Sequence, residues 1–144
     1  MTLKVELKPG ERIVVGRSLI TNGSSRSRLI IEGEEPVLRE RDILTPETAN
    51  TPARRIYLTV QLMYLRGDIS DLKTAYFDLV NDTVKAAPSM RPYIQAINNQ
   101  LLTGALYKGL REAKALVAYE KGIFEHAARS TGLPAGRPED GDPS

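Results

Sequence analysis

The spacing of apolar residues changes once along this chain, and that change constrains the fold more than any other feature. Up to about residue 39 the apolar positions recur every second residue. Leu3, Val5 and Leu7 alternate with Lys4, Glu6 and Lys8, as on a half-buried strand. Pro9-Gly10 supplies a turn, and Glu11–Val15 follows as a short β-branched run. Gly16 and Asn22-Gly23-Ser24-Ser25 bracket Ser18–Thr21, Ser27–Glu32 ends at Gly33, and Pro36–Arg39 makes a fifth candidate strand. From residue 51 the spacing becomes helical. All eight aromatic side chains (Tyr57, Tyr64, Tyr76, Phe77, Tyr93, Tyr107, Tyr119, Phe124) lie in this later stretch.

The helical stretch divides at its own punctuation. Thr51 is an N-cap residue and Pro52 suits the first helical position, so a helix runs to Gly67-Asp68. It carries apolar residues almost all round (Ile56, Leu58, Val60, Leu62, Met63, Leu65) and reads as central and buried. Ser70 is the expected cap of a second helix that Pro88 ends, and Pro92 stands near the start of a third. Thr103 is the expected cap of a long fourth, with Leu106, Leu110, Ala113, Val117, Phe124 and Ala127 on one stripe. The fold class expected is α+β. A small antiparallel β-lobe of about five strands over residues 1–50 precedes a bundle of about four helices over 51–129. A disordered tail of Gly, Pro and acids over 130–144 completes the chain. The β-lobe has too few apolar residues to close a core alone, so it should lean on the helices or on a second copy, predicting a homodimer or higher assembly.

Composition removes several function classes. The chain has no cysteine and one histidine, His126, so thiolate chemistry is excluded and a histidine relay has nothing to build on. His126, near the end of the last helix, reads as a structural or surface residue. Asp78 and Asp82 share a helix face with Lys85 close by, the pattern of a solvated face, and Glu34-Glu35 sits in a turn beside Pro36. The glycines form no phosphate-loop pattern. No enzyme activity, cofactor or metal is expected. With no apolar run long enough for a membrane span and no signal-peptide core, a cytoplasmic location is expected.

The arginines carry the binding argument. The net charge of +2 conceals a neutral first segment, +4 over 51–129 and −2 in the tail. Arg26 and Arg28 project from one strand face, and Arg39 and Arg41 share a face if the chain stays extended. Such pairs can hold phosphates bidentately, or they form a solvated face balanced by Glu32, Glu34, Glu35 and Glu40. Arg54 and Arg55 fall in the first turn of a helix, where the dipole disfavours cations. They point either to an anion site or to pairing with Glu47 or Asp42. Tyr57, one turn on, is the nearest aromatic for stacking a base, with a core role as the alternative.

The run Val5–Ile13, Ile20–Gly23, Leu38–Ala49, Pro52–Leu58 and Val60–Leu65, continuing to Tyr93-Ile94, Ile97–Asn99, Leu102–Gly104 and Leu106-Tyr107, resembles the FlbT family of flagellin-biosynthesis repressors. The likeness spans about residues 1–127. It implies a post-transcriptional regulator acting on the 5′ untranslated leader of flagellin mRNA, lowering translation and message lifetime. A small protein, FlaF, acts in the opposite direction in that circuit, and some family members promote flagellin expression, so the resemblance leaves the sign open. The β-lobe is also similar in kind to the mRNA-leader binder CsrA, through Gly10-Glu11, Ile13–Val15 and Arg39-Glu40. It departs where paired arginines would precede the Gly-Glu turn, since Leu7 and Lys8 stand there, and by one extra residue between Arg39 and Ile43. Only a basic sheet face is implied. The expected interface is therefore Arg26, Arg28, Arg39, Arg41, Arg54 and Arg55 on a flagellin leader. The alternative is an adaptor whose helices bind flagellin or FlaF.

Overall fold

The computed structural model of the chain describes residues 2–130, so the predicted tail falls, but for Ser130, outside the described residues. Strands β1 (Thr2–Leu7), β2 (Arg12–Val15), β3 (Ser18–Thr21), β4 (Ser27–Glu32) and β5 (Val37–Arg39) are followed by a 3-10 turn at Glu40–Asp42. Helices α1 (Pro52–Arg66), α2 (Lys73–Ala86), α3 (Arg91–Leu102) and α4 (Leu106–Ser130) complete an α+β fold, with a second 3-10 turn at Pro88–Met90.

The strands form two antiparallel sheets rather than one, β1–β4 and β3–β2–β5. They close on Val5, Leu7 and Ile13, with Val15, Leu29, Ile31 and Val37 around them. Period-2 patterning explains the split. Each strand turns one set of side chains into that small cluster, and β2 and β5 turn Val14 and Leu38 the other way, onto the helices. Leu38 is buried in the helical core beside Ile56, Val60, Ile97 and Leu116.

A ladder of polar side chains on α1 fixes the β-lobe to the helices. Tyr57, Gln61 and Tyr64 occur at i, i+4 and i+7 and so share one helix face. The Tyr57 hydroxyl donates to the Asp42 carbonyl at 2.5 Å. Gln61 accepts from Leu44 N–H at 2.9 Å and donates to Leu44 C=O at 3.0 Å. The Tyr64 hydroxyl accepts from Val37 N–H at 2.9 Å and donates to Val37 C=O at 3.0 Å. Backbone groups at the start of β5 and in the irregular stretch after it, packed against a helix, thus find the partners they need.

Helix ends agree with the sequence in part. Thr51 caps α1 by accepting from Arg54 N–H, and Gly67, with φ of 76°, closes it in the left-handed conformation that favours glycine. Two expected caps are displaced. Ser70 bonds Asp68 instead, and α2 begins only at Lys73. The Thr103 hydroxyl turns back to the carbonyls of Asn99 and Gln100 at the end of α3, and α4 begins at Leu106. On α4 the buried stripe is Leu110, Ala113, Leu116 and Glu120, whereas Phe124 is exposed. The reason is length: α4 has 25 residues against 15 in α1, and its last turns run past the start of α1 where Glu120 docks.

Candidate nucleic-acid interface

The β-lobe arginines are largely engaged by the protein's own carboxylates. Arg28 pairs across β1–β4 with Glu6 at 3.2 Å, as their register requires. Arg39 lies opposite Ile13 and so points between the sheets, where its Nη2 donates to Glu11 at 3.0 Å and to the Glu6 carbonyl at 2.8 Å. Its Nε is buried with no hydrogen-bond partner. Arg28 and Arg39 therefore meet at Glu6, but within a network that is as acidic as it is basic. Beside it, Arg12 Nη2 holds Glu40 at 2.9 Å. These contacts lower the carboxyls of both acids below their ordinary range. For Glu11 the Lys8 backbone N–H is the leading cause, ahead of the Arg39 guanidinium; for Glu40 it is the Arg12 side chain.

Arg41 does not share a strand face with Arg39, because the chain stops being extended at the Glu40–Asp42 turn. Arg26 precedes β4 and is exposed, as are Arg41 and Arg55. Arg54 donates to Asn50 at 2.8 Å, and it stands one turn before Tyr57 on the laddered face of α1. Neither expected acid takes these helix-start arginines: Asp42 holds Lys114 at 2.8 Å, and Glu47 makes no ion pair with them.

The α1 start is an anion site, and the anion is internal. Glu120 of α4 is buried; its carboxylate accepts from Ala53 N–H at 3.0 Å and from the Thr51 hydroxyl at 2.5 Å. A carboxylate there satisfies free helical N–H groups and offsets the penalty for placing Arg54 and Arg55 in the first turn. Those backbone donors are consequently closed to an outside phosphate, which leaves only the two guanidinium groups for it.

The apolar stripe that marks α4 in the sequence has a polar counterpart on its exposed side. Tyr107, Arg111, Lys114, Ala118 and Lys121 recur at helical spacing on the exposed face, with Glu125 and then Arg129 further along the same line. The i, i+4, i+7 spacing of Tyr107, Arg111 and Lys114 was the available signal. Between this face and the Glu40–Asp42 turn lies a cleft of about 420 Å³, floored by Leu38, Tyr57 and Leu110 and rimmed by Tyr107, Arg111 and Lys114. Tyr57 is buried and spends its hydroxyl on Asp42, which makes it a core residue rather than a stacking plane; desolvation raises its pKa well above the ordinary phenol value. Tyr107 is half exposed, with its ring against Tyr64 at a centroid distance of 5.4 Å. A second groove, of about 500 Å³, runs between α2 and α3, with Phe77, Val80, Val84 and Ile94 interspersed with Asn81, Lys85, Arg91, Gln95 and Asn98. Asp78, Asp82 and His126 are exposed. Among the described residues no three His, Cys, Asp or Glu side chains gather as a metal would need, and no helix is long and apolar enough to cross a membrane.

Comparison with known proteins adds a lineage to this geometry. The profile of the family described as "Flagellar protein FlbT" matches residues 3–124. The chain is 60% identical over 122 residues to the "Probable flagellum biosynthesis repressor protein FlbT 1" of Bradyrhizobium diazoefficiens, covering 84% of each chain. It is 51% identical over 124 residues to the probable FlbT repressor of Rhodopseudomonas palustris, covering 86% of this chain and 98% of the relative. The "Flagellum biosynthesis repressor protein FlbT" of Caulobacter vibrioides is 33% identical over 139 residues, covering 94% and 97%. No solved structure matches.

Proposed function

The chain belongs to the FlbT family of flagellar proteins, and from that premise we propose that it is a non-enzymatic repressor of flagellum biosynthesis, acting in the cytoplasm by binding the 5′ leader of flagellin mRNA. The regulator reading rests on the relatives' description as flagellum biosynthesis repressors. The RNA reading rests on one observation: the exposed, mainly basic face of α4, headed by Tyr107, beside a cleft. Single-stranded and looped RNA is held by cations along the backbone and by planes on which bases stack, and this face supplies both. Arg41, in the Glu40–Asp42 turn, and Arg54, in the first turn of α1, are assigned a supporting part. Arg26, Arg28, Arg39 and Arg55 are assigned a secondary part, the first three within or beside the ion-paired β-lobe. Binding of this kind lowers translation by occupying the leader and needs no chemistry on the RNA.

Titration of the purified protein with a labelled flagellin leader, alongside a scrambled transcript of the same length, tests the reading. Tighter binding to the leader is expected, weakening linearly with log salt. The groove between α2 and α3 favours a second reading, an adaptor that seats a helix of flagellin or FlaF. That reading takes over if neither transcript binds while flagellin or FlaF does.

A further inference from the structure

Four features of the cleft beside α4 point to one kind of occupant. Its volume of about 420 Å³ falls in the range of small-ligand sites. Its wall is Tyr107, a half-exposed ring with one side braced by Tyr64. Its floor is apolar, from Leu38 and Leu110, and two of the residues α4 contributes to its lining are the small Ala115 and Ala118, which leave room there. Its rim carries Arg111 and Lys114, and Lys114 is already held by an anion, the Asp42 carboxylate at 2.8 Å.

Resting on the RNA reading above, we propose that this cleft takes one unpaired nucleotide of the bound RNA. The base lies against Tyr107 and the apolar floor, and the flanking phosphates lie on Arg111 and Lys114. Asp42 acts as a built-in competitor: its carboxylate already neutralises part of the Lys114 charge that a phosphate would use. The Tyr57 hydroxyl, bonded to the Asp42 carbonyl, holds the competing residue at the cleft mouth. A base excluded from a duplex fits such a site and a paired base does not, so the cleft selects loops and single strands.

The test is fluorescence anisotropy on a labelled flagellin-leader RNA, over a series of salt concentrations, with variants first shown by thermal melting to be folded. Tyr107→Ala and Ala115→Leu are expected to weaken binding about fivefold or more without changing the salt slope, because they alter stacking and space and leave charge alone. Tyr107→Phe keeps the ring and should bind like the parent. Arg111→Ala should reduce the salt slope by about 0.7, the value of one phosphate contact on a single strand. Asp42→Asn should do the reverse, raising the slope and tightening binding about fivefold at 0.1 M salt. If the parent binds the leader and these variants all lie within twofold of it, or if Asp42→Asn weakens binding, the cleft assignment is overturned and the RNA reading stands. If the parent binds no RNA, both fall.

Discussion

Single residues decide how this protein spends its charge, and Glu120 shows it best. A buried carboxylate is costly unless it is hydrogen-bonded, and here Ala53 N–H and the Thr51 hydroxyl meet that need. Glu120→Ala strips a partner from a helix start enclosed by the core, so a loss of about 2–4 kcal/mol is expected in urea unfolding, with a smaller loss for Glu120→Gln. The sequence shows Arg54 and Arg55 at an unfavourable place but not what relieves them, because the relieving residue is more than sixty positions away. The acids of the β-lobe give a pH dependence whose sign follows from the direction of their shifts. Glu11 and Glu40 lie below the ordinary carboxylate range when folded. Their contribution is therefore complete above that range and disappears as the pH falls through the lowered values. Thermal melts of the parent and of Glu40→Gln should differ at neutral pH and converge in acid.

Elements were legible wherever their cause is local. The five strands follow from alternation and turn residues, and α1 follows from Thr51, Pro52 and Gly67. The caps at Ser70 and Thr103 were misread because a hydroxyl near a helix start serves whichever backbone or side-chain group the turn brings to it. Contacts that cross between elements left no local trace. The Tyr57–Gln61–Tyr64 ladder is polar spacing on a helix otherwise read as apolar all round, and its partners are backbone atoms of β5 and of the segment joining it to α1. Tyr64→Phe removes both bonds to Val37 and should cost about 1–2 kcal/mol. Amide exchange should then quicken at Val37 and remain unchanged along α3. Uniform quickening across all four helices would instead mean that the ladder stabilises the whole bundle.

For the molecule as a whole, the strands close one small cluster among themselves and send Leu38 and Val14 into a larger helical core. The β-lobe leans on the helices, in keeping with its shortage of apolar residues. It still leaves β3 as an edge strand exposed along its length, with Leu19 56% accessible. Such edges invite pairing. We propose a homodimer, for which light scattering should return about twice the chain mass of 15.9 kDa, and a mass of one chain at every concentration would refute it.

The central claim is that RNA is gripped by the basic face of α4 and not by the arginines of the sheet. Leader affinity should therefore be compared between two folded charge reversals, Arg111→Glu with Lys114→Glu on α4 and, as the β4 pair, Arg26→Glu just before that strand with Arg28→Glu on it. Each changes the net charge by the same amount, so long-range attraction is weakened alike and only the site differs. The account predicts that leader binding is abolished in the α4 pair and lowered only by a few fold in the β4 pair. Loss of binding in the β4 pair with retention in the α4 pair would contradict it.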